Sequence, residues 1–172
     1  MKPIRNIPPI DAGALERIAL RYVERYATTR AKLTRYLERK LYERGWEGSG
    51  APPIAAIVAR FVERRYVDDR AFAEFKAAAL NRRGYGRRRI ADALRAAGID
   101  AADFPEPAED EEAVARSVAL AFARRRRIGP FAAEPLDRAA RQRAFAMMVR
   151  AGHPAHLIRE ILETFKDDDT IA

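Results

Sequence analysis

The side chains best equipped for chemistry in this sequence are arginines around one short turn. Arg82 and Arg83 stand just before Gly84-Tyr85-Gly86, Arg87, Arg88 and Arg89 stand just after it, and Arg95 follows along the same stretch. The chemistry these cations share is contact with an anion, either the phosphates of a nucleic acid or an acidic protein surface. A helix that starts at Arg87 places three cations at the positive end of its dipole, where anions are favoured by about 0.3–1 kcal/mol each. Two readings of that arrangement stand: a solvated basic surface turn, or an end that an anionic partner meets.

Other chemistry is sparse. The chain has no cysteine, which excludes disulfides, thiolate catalysis and cysteine-ligated zinc. His153 and His156 are its two imidazoles, and Pro154 biases His153 away from helical geometry, which weakens a paired-ligand reading. Ser49 and Ser117 lack the surroundings of a nucleophile elbow, and no glycine-rich phosphate loop is present. The acidic groups Asp68-Asp69 and Asp110-Glu111-Glu112 fall at expected helix starts, where capping accounts for them. Trp46 and the tyrosines could stack on bases, but the sequence shows no aromatic ladder like that of a single-strand-binding sheet, and core packing is the favoured reading. Neither an enzyme, a cofactor nor a metal site is expected.

These residues need elements to position them. With 172 residues, 34% of them charged, a net charge of +8, nine glycines and ten prolines, the composition favours an all-helical protein drawn to polyanions. No apolar run approaches the roughly 20 residues that span a bilayer, and no signal peptide is expected. Asp11 can cap a first helix along which Leu15, Ile18, Ala19, Tyr22, Val23 and Tyr26 recur at helical spacing. Further helices are expected over 30–44, ending at Gly45, and over 53–65. Asp68 or Asp69 caps the next, with Phe72, Phe75, Ala79 and Leu80 on its inner face, and after the glycine turn Ile90, Ala93, Leu94 and Ala97 point inward. Pro105 and Pro107 leave little room for another full helix before those over 110–127, 136–151 and 154–166. Val114, Val118, Ala121 and Phe122 mark the first of these, and Arg124 to Arg127 suit the negative end of its dipole.

Aligning Gly45, Gly98 and Gly152 places Leu41, Leu94 and Met148 one turn before each, and Leu37, Ile90 and Ala144 a turn earlier. The final helix likewise aligns with the third, Asp168-Asp169 falling on Asp68-Asp69. Three divergent copies of a three-helix unit explain the register. The expected organisation is an elongated tandem array: residues 1–14 irregular, repeats at 15–67, 68–108 and 109–166 with a degenerate third helix in the middle one, and an acidic tail at 167–172.

Tyr66-Val67-Asp68-Asp69-Arg70-Ala71-Phe72-Ala73, Arg83-Gly84-Tyr85-Gly86, Arg88-Arg89-Ile90 and Leu94-Arg95-Ala96-Ala97-Gly98-Ile99 together resemble the RecX family. Two features depart from that pattern: Arg87 stands where the family commonly has proline, and Pro105 and Pro107 interrupt the middle repeat. The resemblance implies a cytoplasmic, non-enzymatic regulator that binds the RecA recombinase and its single-stranded DNA filament. It further implies blocked filament extension or promoted disassembly, and so damped recombination and DNA-damage signalling. On charge and position, Arg82, Arg83, Arg87, Arg88, Arg89 and Arg95 are the expected contact surface of a monomer, with a weak direct DNA contact possible through the same patch. A basic helical module that binds DNA without RecA is the alternative, and a bare scaffold the third.

Overall fold

The computed structural model describes residues 8–164. Positions 1–7 of the expected irregular segment, Phe165 and Lys166 of the last expected helix, and the acidic tail lie outside the described residues. Within them the chain is helical: α1 (Ala12–Arg25), α2 (Arg30–Arg44), α3 (Ile54–Glu63), α4 (Asp69–Arg82), α5 (Arg87–Ala96), α6 (Glu111–Arg126), α7 (Arg138–Arg150) and α8 (Ala155–Glu163). Short 3-10 turns lie at Ala101–Asp103 and Gly129–Phe131, and no strand occurs among the described residues. None of the described helices is long and apolar enough to cross a membrane.

Helix starts follow from local capping. Asp11, Thr29, Asp110 and Asp137 each accept a backbone N–H from the residue three positions on, satisfying a donor that a helix start leaves unpaired. Asp68 does the same for Ala71, at 2.9 Å. Gly45 ends α2 with φ 82°, and the two glycines aligned with it, Gly98 and Gly152, also have positive φ, 76° and 91°.

The chain forms two compact units. One takes in the described residues up to Ala73 together with Ala96–Asp103; the other takes in Glu74–Arg95 and the described residues from Phe104 onward. The core of the first unit is Leu15 and Ala19 of α1, Leu33 and Leu37 of α2, Ile57, Val58 and Phe61 of α3, with Val67. Ile10, expected in an irregular segment, is completely buried there and forms an isolated bridge with Trp46. The core of the second unit joins Ala119, Phe122 and Ala123 of α6, Ala144 and Met148 of α7, and Ile158, Ile161 and Leu162 of α8.

Helix α4 corrects one expectation. Its buried stripe is Ala73, Ala77 and Leu80, and Phe75 is 70% exposed. Phe75 lies about 200° round the helix from Ala73, so a face that buries one must leave the other out. On α6 the same kind of shift leaves Val114 and Ala121 exposed, while Ala119, Phe122 and Ala123 are buried. On α5 the expected stripe holds, with Ile90, Leu94 and Ala97 buried and Ala93 half-buried. After it the chain makes one 3-10 turn, and Phe104, Pro105 and Pro107 then wall a small apolar cavity of about 240 Å³ with Ile90, Leu94 and Val118.

Candidate functional site: a basic turn between α4 and α5

The turn that carries the arginines is built backbone to backbone. Gly84 adopts φ 78°, and the amides of Arg83 and Tyr85 both donate to the carbonyl of Leu80, at 3.0 and 3.1 Å, winding up the end of α4. The Gly86 amide donates to the carbonyl of Ala151 at 2.8 Å, and its own carbonyl accepts the first helical bond of α5, from Ile90 at 3.1 Å. Gly86 thus occupies the capping position of α5 without a side-chain oxygen to offer. A Cβ on Gly86 would lie 2.3 Å from the carbonyl oxygen of Gly152, so only glycine permits this approach. The start of α5 is thereby pinned to the turn that follows α7.

All six expected contact residues are exposed, and their partners differ. Arg87 forms an ion pair with Glu111 on the first turn of α6. Arg95 pairs with Asp92 one turn back on its own helix, at 3.0 Å, and its guanidinium lies 5.9 Å from the ring of Phe104. Arg83 sits 5.4 Å from the ring of Tyr85, within cation–π range. The carbonyl of Arg82 accepts a hydrogen bond from the Arg125 guanidinium, which places a seventh cation beside the turn. The guanidinium groups of Arg82, Arg88 and Arg89 make no ion pair among the described residues. Exposed pairs such as Arg87 with Glu111 contribute about 0–1 kcal/mol, so they tie down charge without burying it.

Sequence reasoning missed the roles of Glu111 and Glu112. They do not cap α6, which Asp110 does; Glu111 holds Arg87, and Glu112 lies 2.8 Å from His156. Their position in the first turn of a helix was legible, but their partners lie 24 and 44 residues away. Arg124 and Arg126 stack on Phe131 and Phe122 at the end of α6, and Arg127 supplies its left-handed cap at φ 54°. The expected structural role for that run fits this geometry.

His153 is the buried polar group of this region. It is 6% exposed, its ring centroid lies 5.3 Å from that of Phe122, and neither ring nitrogen has a hydrogen-bond partner of normal geometry among the described residues. Burial pushes its pKa down, and the backbone of Gly84 offsets part of that. Unfolding exposes it to water, where its pKa returns to about 6.5. The unfolded chain therefore binds the proton first as pH falls, and stability present above that value is lost below it. Between pH 7.5 and 5.5 the melting temperature is expected to drop for the native chain and for His156→Gln, and to drop less for His153→Leu. Equal slopes in all three would remove His153 from this account. Among the described residues no three His, Cys, Asp or Glu side chains gather as a metal site.

The arrangement thus presents fixed, exposed positive charge. The sequence family described as RecX, second three-helix domain, matches residues 68–103, which contain α4, the turn and α5. The regulatory protein RecX of Myxococcus xanthus (strain DK1622) is 32% identical over 158 residues, covering 87% of this chain and 84% of that protein. The fold is similar to the crystal structure of RecX from Lactobacillus salivarius, with a TM-score of 0.65 at 17% identity over 88% of this chain and 94% of the other. With its helical fold, its matched middle segment and a relative aligned over most of both lengths, the chain belongs to the RecX family, whose members are regulatory proteins rather than enzymes.

Proposed function

We propose that this chain binds RecA and its nucleoprotein filament, inhibits filament extension together with RecA's recombinase and ATPase activities, and so modulates DNA repair and the SOS response. The three-helix units at 15–67, 68–108 and 109–166 are part of the same proposal, since an array of small units suits a long partner. Family membership supports the partner. The observation that carries the contact surface is the pair Arg88 and Arg89: exposed, without a carboxylate partner among the described residues, and held on the first turn of a helix pinned by its backbone. Three cations at the positive end of a helix are locally unfavourable. An anionic surface on RecA or the phosphates it carries would relieve that cost. Arg82, Arg83, Arg87 and Arg95 complete the surface.

The test is Arg88→Glu with Arg89→Glu, titrated as a folded protein into preformed RecA filaments on single-stranded DNA while RecA-dependent ATP hydrolysis is followed. Inhibition is expected to need about tenfold more of the variant. Two carboxylates suit the start of a helix better than two cations do, so the melting temperature should hold or rise slightly. Function and stability then move in opposite directions, which a merely structural role would not produce. Unaltered inhibition of ATP hydrolysis would refute the assignment. Matched titrations into naked single- and double-stranded DNA separate this reading from a DNA-binding module acting without RecA, which would bind DNA and filaments equally.

A further inference from the structure

A second cationic surface lies in the first compact unit, built from α1 and α2. Tyr22 of α1 stacks on Tyr36 of α2 with centroids 4.0 Å apart and planes 15° from parallel. Tyr26, one turn beyond Tyr22, lies 5.4 Å from it and is 51% exposed. The Arg25 guanidinium sits 5.6 Å from the Tyr26 ring, and Arg39 and Lys40 sit 5.5 and 5.8 Å from that of Tyr36. With Arg21 these groups line one open groove of about 510 Å³. The carboxylate that pairs with them is Glu43, 2.6 Å from Lys40 and 3.6 Å from Arg39, while Arg21 and Arg25 make no ion pair among the described residues.

Core packing accounts for one side of Tyr22 and Tyr36, which lie against the core of the first unit, but not for Tyr26 or the cations. Tyr22 and Tyr36 are only partly buried, and half of Tyr26 faces water. A cation on a ring is a sufficient reason for one arginine at an exposed tyrosine, not for four cations in one groove, two of which share Glu43 and two of which have no carboxylate partner among the described residues. We propose that the groove binds a single-stranded polynucleotide, one base stacking on the open side of Tyr26 and the adjoining phosphates lying against Arg21, Arg25, Arg39 and Lys40. Exposed aromatic faces beside a positive track are what an unpaired strand uses, because every base has a face to stack and every linkage a charge to neutralise. A duplex keeps its base faces occupied. An acidic peptide would satisfy the cations and leave the tyrosine face unused. The proposal stands on α1 and α2 and is independent of the arginines at the start of α5.

The test uses fluorescence anisotropy with the whole chain carrying Arg88→Glu and Arg89→Glu, so that the other basic surface contributes little. Probes are labelled oligothymidylate, oligouridylate, and an abasic deoxy strand of the same length, with polyglutamate as competitor. Tyr26→Ala is expected to weaken oligothymidylate binding about tenfold and Tyr26→Phe to preserve it. The abasic strand should bind more weakly than oligothymidylate and be indifferent to Tyr26→Ala. Arg25→Gln with Arg39→Gln should flatten the dependence of log affinity on log salt by about 1.4, at roughly 0.7 per charge lost. The tighter of the thymidine and uridine strands identifies DNA or RNA as the natural source. Oligothymidylate binding unchanged by Tyr26→Ala, an abasic strand bound as tightly as oligothymidylate, or displacement by polyglutamate at equal charge would each overturn the proposal. None of those results bears on filament inhibition, which is scored separately.

Discussion

Gly152→Ala should cost this protein at least about 3 kcal/mol of stability. Gly152 has φ 91°, and a Cβ there would lie 2.4 Å from the Arg89 amide nitrogen, 2.7 Å from the Arg89 Cβ and 2.9 Å from the Gly86 carbonyl oxygen. Two of these obstacles are backbone, so no side-chain rotation clears the space. Relief requires α5 to move off the turn after α7, which breaks the bond from the Gly86 amide to Ala151. Gly45→Ala is the control: φ is 82° but nothing lies within 4 Å of its Cβ position, leaving only conformational strain of about 1–3 kcal/mol. Urea unfolding of the two variants measures the difference, and equal losses would show that the close approach of Gly86 and Gly152 carries no weight. Because Arg89 rides on the same contact, Gly152→Ala should also impair the proposed filament inhibition wherever it still folds.

Asp69→Ala is expected to cost about 2–3 kcal/mol, with Asp69→Asn losing less. Asp69 is 6% exposed, and its carboxylate accepts the Arg30 backbone amide at 2.9 Å and the Arg30 guanidinium Nε at 3.2 Å. Thr29 caps the same end of α2, its hydroxyl accepting from Lys32 at 3.2 Å and donating to the Ala97 carbonyl at 2.8 Å. Burial alone would lower the Arg30 pKa, but the hydrogen bond and charge of Asp69, together with Asp103 and Asp100, raise it overall. Removing Asp69 strands the Arg30 backbone donor and takes one of two carboxylates from its guanidinium. Asp103 lies 2.9 Å from the same guanidinium but at the surface, so Asp103→Ala should cost under about 1 kcal/mol. The comparison is made by urea unfolding; a larger loss for Asp103→Ala than for Asp69→Ala would mean that charge, not capping, holds this junction.

Read from the sequence, Asp68 and Asp69 are interchangeable capping candidates. In the structure they part company: Asp68 caps α4, and Asp69 turns away to serve the start of α2, 39 residues earlier. Phe75 shows the same limit. Its spacing from Phe72 and Leu80 fits an inner face, but whether that face or the alanine stripe beside it packs inward depends on which helix lies opposite. The tyrosines of α1 and α2 repeat the lesson, since Tyr22 and Tyr26 are visible as a pair four residues apart while Tyr36 and its cations join them only when the two helices meet.

What the sequence determined by itself is what local physics controls: helices capped by Asp11 and Asp110, the stop at Gly45, the buried stripe of α5, and a basic turn too long and too dense to hide. Caps act over three or four residues, and a hydrophobic stripe needs only its own helix to be seen. Arg95 finds Asp92 locally, one turn back on its own helix. Tertiary structure alone brought Glu111 to Arg87 and left Arg88 and Arg89 without a carboxylate among the described residues. It also decided that two glycines far apart in sequence touch, because backbone can approach backbone so closely only where neither position carries a Cβ.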